Sequence, residues 1–361
     1  MADMKLKFWI GILISIICVY LVFRGIDFAE AFRTMKSVNY GFLALAVALQ
    51  LATIWLRAER WKYLLAPIKP LTFKHLVPAT MIGFMANNIL PARAGEFIRA
   101  YVIGKKERIS KTSAFATIVI ERVCDMITML GLLFVILLWM KFPENGSGSG
   151  ASALISEPTL RKIGVLSAVF VVALMAFLVL LKEFPRQTTQ IVKRILSPLP
   201  ASLGHNALEM LDSFRLGLQV LDTGTHIFWV AFWSLAVWTV AILGGWSILW
   251  AFHLSLPLMA AIFINVLVAF SAAIPSSPGY VGPFHAAVKA GILFFLPALG
   301  RSSAAGIAIV FHLSCILPIT FAGLYFLWKE NLSIAEIQHV EEEEEEFLKP
   351  EETLDTSAAE E

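Results

Sequence analysis

The sequence predicts an all-α polytopic membrane protein with about six spanning helices and two re-entrant, interrupted helical hairpins from opposite faces. Three observations carry that prediction. Of 361 residues, 58% are hydrophobic and 16% charged, and the mean hydropathy is +0.74, well beyond an ordinary soluble domain. Six apolar runs approach the roughly 20 residues a bilayer span needs. Two further runs stop short at amides, prolines and glycines.

The first run, 8–23, follows a basic start like that of a signal peptide, but no small-x-small cleavage pattern precedes Arg24, so it reads as a retained span. The second span is 40–56. The first interrupted run, 75–90, ends at Asn87, Asn88 and Pro91. Spans follow at 113–140, 163–181 and 226–251. The second interrupted run, 257–274, stops at IPSSPGYVGP before a shorter apolar piece, 284–297, and the last span is 303–328. Segment 186–221 mixes apolar residues at helical spacing with charges, the pattern of amphipathic helices on a membrane surface.

Lys and Arg cluster in three stretches, 57–74, 93–111 and 182–225, which places these stretches inside. Both termini are then cytoplasmic. Segment 75–111 cannot cross once under that orientation; it enters and returns, and 257–297 does the same from the other side. Irregular backbone at membrane depth needs protein or a water-filled cavity around it, and paired interrupted helices mark transporter binding sites. The chain divides into one transmembrane domain, 1–330, and an acidic tail, 331–361, whose EEEEEE run cannot bury apolar surface and is expected to be disordered.

The break after residue 87 reads NNILPARAGEFIRAY. If it turns helical after Pro91, Arg93, Glu96 and Arg99 recur every three residues and share a face. The following span carries Glu121, Arg122 and Asp125 within ATIVIERVCDMITML. A charge at the centre of a span costs about 2.5–3.5 kcal/mol on insertion scales, so such groups face protein or water and take partners. Three cations, Arg93, Arg99 and Arg122, against three anions, Glu96, Glu121 and Asp125, can neutralise one another as a structural lock. Alternatively the arginines offer a planar, permanently charged site for a phosphate oxyanion that competes with Glu96.

The second break supplies hydroxyls and pliable backbone. Ser276 and Ser277 can cap a half-helix or bond a polar ligand, Gly279 and Gly282 allow close approach, and His285 and His312 are intramembrane hydrogen-bonding or protonation candidates. Cys18, Cys124 and Cys315 lie far apart in apolar runs, which supports buried thiols and neither disulfides nor a metal site. No nucleophile elbow, HExxH, P-loop or soluble catalytic domain is present, so the expectation is a protein that is not an enzyme and needs no cofactor. No basic tract points to nucleic acid.

Four segments, NNILPARAGEFIRAYVIG, ATIVIERVCDMI, IPSSPGYVGPFHAA and IVFHLSCILPITFAGL, resemble the lysylphosphatidylglycerol synthase transmembrane-region, or flippase-like, family over roughly residues 5–330. Its motifs match Asn88, Pro91, Arg93, Gly95, Glu96 and Arg99, then Glu121, Arg122 and Asp125, then Pro275, Pro278, Gly279 and Gly282. Many relatives carry a glutamate where this chain has His285. The resemblance implies a stand-alone membrane region, without the soluble synthase domain, that moves a lipid between leaflets. The expected partners are membrane lipids, with a homo-oligomer or a lipid-synthesis enzyme left open. A non-transporting scaffold of a lipid-modifying or glycosyl-transfer system is the alternative, and an intramembrane lipid enzyme a third. A lipid-sized polar cavity beside Arg93 and Arg99 would favour transport, and a tightly packed ion-pair cluster the scaffold.

Overall fold

A computed structural model describes residues 13, 15–90, 94–139, 157–196, 224–272, 277–334 and 336–337. Among the described residues every regular element is helical. Helix α1 covers 15–23. Asp27 then caps α2, Phe28–Lys36, accepting the Ala29 and Glu30 N–H groups on Oδ1. Asn39 starts α3, Tyr40–Leu65, in the same way. There follow α4, Phe73–Ile89, α5, Gly95–Glu107, α6, Lys111–Trp139, α7, Glu157–Glu183, and α8, Pro185–Leu196. The second half comprises α9, Gly224–Ala251, α10, Leu258–Ser271, a 3-10 turn, Pro278–Tyr280, α11, Pro283–Phe295, and α12, Arg301–Lys329.

Among the described residues, four helices are long and apolar enough to cross a membrane: α3, α6, α9 and α12. The expected span 163–181 falls inside α7, and the expected first span begins outside the described residues. Segment 24–39, between the first two expected spans, contains α2, which packs so closely on α12 that a Cβ on Gly306 would stand 2.6 Å from the Ala31 carbonyl oxygen. The larger correction concerns α3. It does not stop at 56 but runs on to Leu65, so Arg57 and Arg60 are not loop cations but buried helical residues. A helix can continue past its apolar run when another helix supplies counter-ions, and α6 does so here.

Helices α4, α5, α10 and α11 are shorter than a span. At about 1.5 Å rise per residue even α4 reaches only about 25 Å against a hydrocarbon core of about 30 Å. Each expected hairpin is a pair of such helices packed on one another, α4 on α5 and α10 on α11. The first pair crosses at glycines: a Cβ on Gly83 would lie 2.7 Å from the Gly95 carbonyl oxygen, and one on Gly95 would overlap the Gly83 carbonyl. The second crosses at Gly291, where a Cβ would meet Ile264 at 2.6 Å. One apolar core joins α3 to α6 and α12, around fully buried Trp61, Leu65 and Ile98; a second joins α9 to α12, around Leu249, Ile264 and Val288.

Helix α8 covers the start of the expected amphipathic segment, with the rest outside the described residues. The chain stays packed beyond the expected domain edge at 330, through Ile337, which is 1% exposed. The acidic run lies outside the described residues. The three cysteines are free thiols, half-buried rather than buried as expected.

Candidate functional site

Three helices deliver charge to one buried point. From α3 come Arg57 and Arg60, 8% and 0% exposed; from α5, Arg99, 2% exposed; from α6, Glu121, Arg122 and Asp125. Asp125 is the hub. Its Oδ1 accepts from Arg60 Nη1 at 2.7 Å and Trp238 Nε1 of α9 at 3.2 Å. Its Oδ2 accepts from Arg57 Nη1 at 2.9 Å and pairs with Arg122 Nη2 at 3.3 Å. Glu121 Oε1 accepts from Arg99 Nη1 at 3.0 Å and Arg122 Nη2 at 2.5 Å, and pairs with Arg60 Nη2 at 3.3 Å.

Aromatic faces hold the guanidinium planes. Arg99 lies 3.8 Å over the Trp61 ring, and Arg57 sits between Phe84 and Trp238 at 5.3 and 5.6 Å. Trp61 is itself fixed by its indole N–H donating to Thr117 Oγ1 at 2.8 Å. Four arginines on two carboxylates leave a formal excess of two positive charges, and Glu96, close by, reduces it to one. Glu96 is half-buried and accepts from Asn87 Nδ2 at 3.3 Å, while Asn87 Oδ1 accepts the Gly95 N–H that opens α5.

Several donors and one acceptor in this cluster have no hydrogen-bond partner among the described residues: Arg99 Nε and Nη2, Arg60 Nε, Arg122 Nε and Glu121 Oε2. Gly83, Phe84, Asn87, Gly95, Glu96, Arg99 and Arg122 line a cavity where the volume open to the centre of a water molecule is ≈ 10 Å³, room for about one water. That is far below the size of a lipid headgroup, and the cluster around it is tightly packed.

The expected tally of Arg93, Arg99 and Arg122 against Glu96, Glu121 and Asp125 therefore changes. Arg93 lies outside the described residues. Arg57 and Arg60, counted from the sequence as orientation charges, take over the pairing of Asp125. Their signal was present in the sequence: Arg57, Arg60, Trp61 and Leu64 fall at i, i+3, i+4 and i+7, one helical face, with no glycine or proline before Pro67.

The two breaks meet. A Cβ on Gly279 would lie 3.4 Å from the Asn88 carbonyl oxygen at the end of α4. Gly279 has φ +70°, a conformation that glycine adopts without Cβ strain. Helix α12 ties both together: Asn88 Nδ2 donates to Thr320 Oγ1 at 3.0 Å, and His312 Nε2 donates to the Gly279 carbonyl at 2.6 Å. His285, 6% exposed, accepts the Gly282 N–H on Nδ1 at 3.3 Å and lies against His312 with ring centroids 4.5 Å apart and the ring planes tilted by 48°. Ser277 makes no side-chain cap; its backbone N–H donates to Ser15 Oγ at 2.7 Å. Ser276 lies outside the described residues.

Long apolar helices, two broken hairpins that touch, and a buried arginine-rich cluster beside one of them define a polytopic membrane protein with a cationic core. The chain belongs to the lysylphosphatidylglycerol synthase TM region family, whose model matches residues 8–323. It is 26% identical over 297 residues to glycosyltransferase AglD of Haloferax volcanii, covering 77% of this chain and 47% of that protein. A UPF0104 membrane protein of Methanothermobacter thermautotrophicus is 23% identical over 292 residues, 77% of this chain and 83% of that one. A second, MJ1595 of Methanocaldococcus jannaschii, is 31% identical over 134 residues, 36% of this chain and 40% of that one. The chain thus spans under half the length of AglD. No solved structure matches it.

Proposed function

We propose that the protein is a lipid translocase of the cytoplasmic (inner) membrane, with both termini cytoplasmic, that moves a phosphate-bearing lipid between leaflets. A phospholipid and a polyprenyl-linked lipid both present the required oxyanion. One observation carries the reading: the cluster holds more arginines than carboxylates, and the buried Arg99 keeps Nε and Nη2 unpartnered among the described residues while it lines a cavity with Glu96 and Arg122. A phosphate supplies the acceptors those donors lack. Glu121 and Asp125 hold the arginines in place. Asn88, Gly279 and His285, with Arg93, Ser276 and Ser277, belong to the seam along which a headgroup passes. Because the cavity admits about one water, α5 must draw away from α4 and α6 before a headgroup enters.

Leaflet exchange of labelled phospholipid and polyprenyl-phosphate lipids in reconstituted vesicles tests this. Arg99→Ala is a suitable variant, since Glu121 keeps Arg60 and Arg122 as partners. Exchange should fall at least tenfold; unchanged exchange in a folded Arg99→Ala protein removes the role given to Arg99.

The tight packing of the cluster favours a second reading, a non-transporting membrane subunit or scaffold of a glycosyl-transfer or other lipid-modifying system. The similarity to AglD is in keeping with it. That reading expects no exchange activity, co-purification with an enzyme, and loss of the enzyme's activity when the chain is absent.

A further inference from the structure

After α12 the chain folds back onto the end of α5 opposite the arginine cluster. Ile337, 1% exposed, enters the core that α5 shares with α3 and α4. Glu336 Oε1 accepts from Tyr101 OH at 2.9 Å and Lys105 Nζ at 2.5 Å, and Glu330 Oε1 from Lys106 Nζ at 2.6 Å. Lys69 and His75 gather on Glu107 at 3.0 and 3.6 Å. This corner carries six basic side chains, Lys69, Lys74, Lys105, Lys106, Arg108 and Lys111, against three carboxylates, Glu107, Glu330 and Glu336. Lys74, Arg108 and Lys111 are exposed and have no ion pair among the described residues. Lys111 Nζ stands 4.4 Å over the Tyr101 ring whose hydroxyl binds Glu336.

The next charges along the chain are Glu341–Glu346, six consecutive glutamates starting four residues after the Ile337 anchor. Four residues span up to about 14 Å and nine about 32 Å. An anchored, oppositely charged segment has a high effective concentration at such a surface, which an anionic lipid or a second copy lacks. We propose that Glu341–Glu346 docks in cis on Lys74, Arg108 and Lys111, an intramolecular counter-ion that ties the end of the chain to α5. This holds whether or not the protein moves lipid.

Acylation of Lys74 and Lys111 by a water-soluble amine reagent, read by mass spectrometry on protein in neutral micelles, is the test. Three chains are compared: the full chain, one ending at Gln338, and one with Glu341→Gln through Glu346→Gln. In low salt both lysines should label several-fold more slowly in the full chain than in the other two. The difference should vanish at about 0.5 M salt, where screening acts within about 4 Å. Equal rates in all three chains at low salt overturn the proposal, as does protection that survives the glutamine replacements. Protection that fades on dilution makes the occupant a second copy. Protection that arises only on adding phosphatidylglycerol makes it a lipid headgroup, and either result overturns docking in cis.

Discussion

Replacing Asp125 by asparagine isolates the energetics of the buried cluster. Asp125 pairs with Arg57, Arg60 and Arg122, but the three do not depend on it equally. Arg60 and Arg122 also reach Glu121, at 3.3 and 2.5 Å. Arg57, 8% exposed, has no other carboxylate among the described residues and keeps only the faces of Phe84 and Trp238. Asp125→Asn therefore strands one buried cation rather than three, and a stranded member of a buried pair costs about 3–5 kcal/mol. The asparagine amide also turns one acceptor into a donor that faces a guanidinium or the Trp238 N–H. Unfolding free energies in mixed micelles, followed by tryptophan fluorescence, should show that loss. Adding Arg57→Met to Asp125→Asn removes the stranded charge and should restore at least about 1.5 kcal/mol as a coupling energy. Glu96→Gln, which touches a half-buried group with a single 3.3 Å hydrogen bond among the described residues, should stay within about 1 kcal/mol of the parent. An Asp125→Asn protein within about 0.5 kcal/mol of the parent, or a double variant no more stable than Asp125→Asn, would refute the reasoning.

Two further outcomes follow from packing and from charge. Gly95→Ala drives a methyl into the Gly83 carbonyl and to within 2.5 Å of Asn87 Oδ1, so it should destabilise by about 1–3 kcal/mol in a thermal melt; a neutral result would mean that α4 and α5 do not cross there. The Lys105–Glu336 contact sets a pH window. The hydrogen bond from Lys105 holds the Glu336 carboxyl below its usual range, and the same contact raises the Lys105 ammonium. Its stabilisation is therefore complete above the usual carboxylate value and lost as pH falls through the lowered one; on the alkaline side it is complete below the usual lysine value and lost through the raised one. Hydrogen-exchange protection of residues 330–334, corrected for intrinsic rates, should be flat from about pH 5 to 9. A loss centred between pH 6 and 8 would assign the contact to another group.

The all-α architecture, the positions of both breaks and the pairing role of Glu121 and Asp125 were legible in the sequence, because apolar length, proline and glycine placement and intramembrane charge are local signals. The true extent of α3 was not. Counting Arg57 and Arg60 as loop cations assumes that an arginine beside an apolar run faces water. Their carboxylate, Asp125, lies more than sixty residues away, and no local rule reports it. The helical face formed by Arg57, Arg60, Trp61 and Leu64 would have corrected the boundary. The meeting of the breaks was readable only as a topological expectation; the residue that joins Asn88 to α12, Thr320, has nothing in its surroundings to single it out. The reach of the packed chain to Ile337 was hidden in the same way, since Leu332, Ile334 and Ile337 are too few apolar residues to mark a packed segment after α12.

Helix α12 touches both interruptions on one face: His312 holds the Gly279 carbonyl, and Thr320, eight residues on, holds Asn88. At about 1.5 Å per residue those grips are about 12 Å apart along one helix, a rod with Pro318 between the two grips. A displacement at either break must pull on the rod, and the rod passes the load to the other. The two halves of the chain thus share one mechanical degree of freedom at their junction, and a substitution at Thr320 should be felt at His285, which it does not touch.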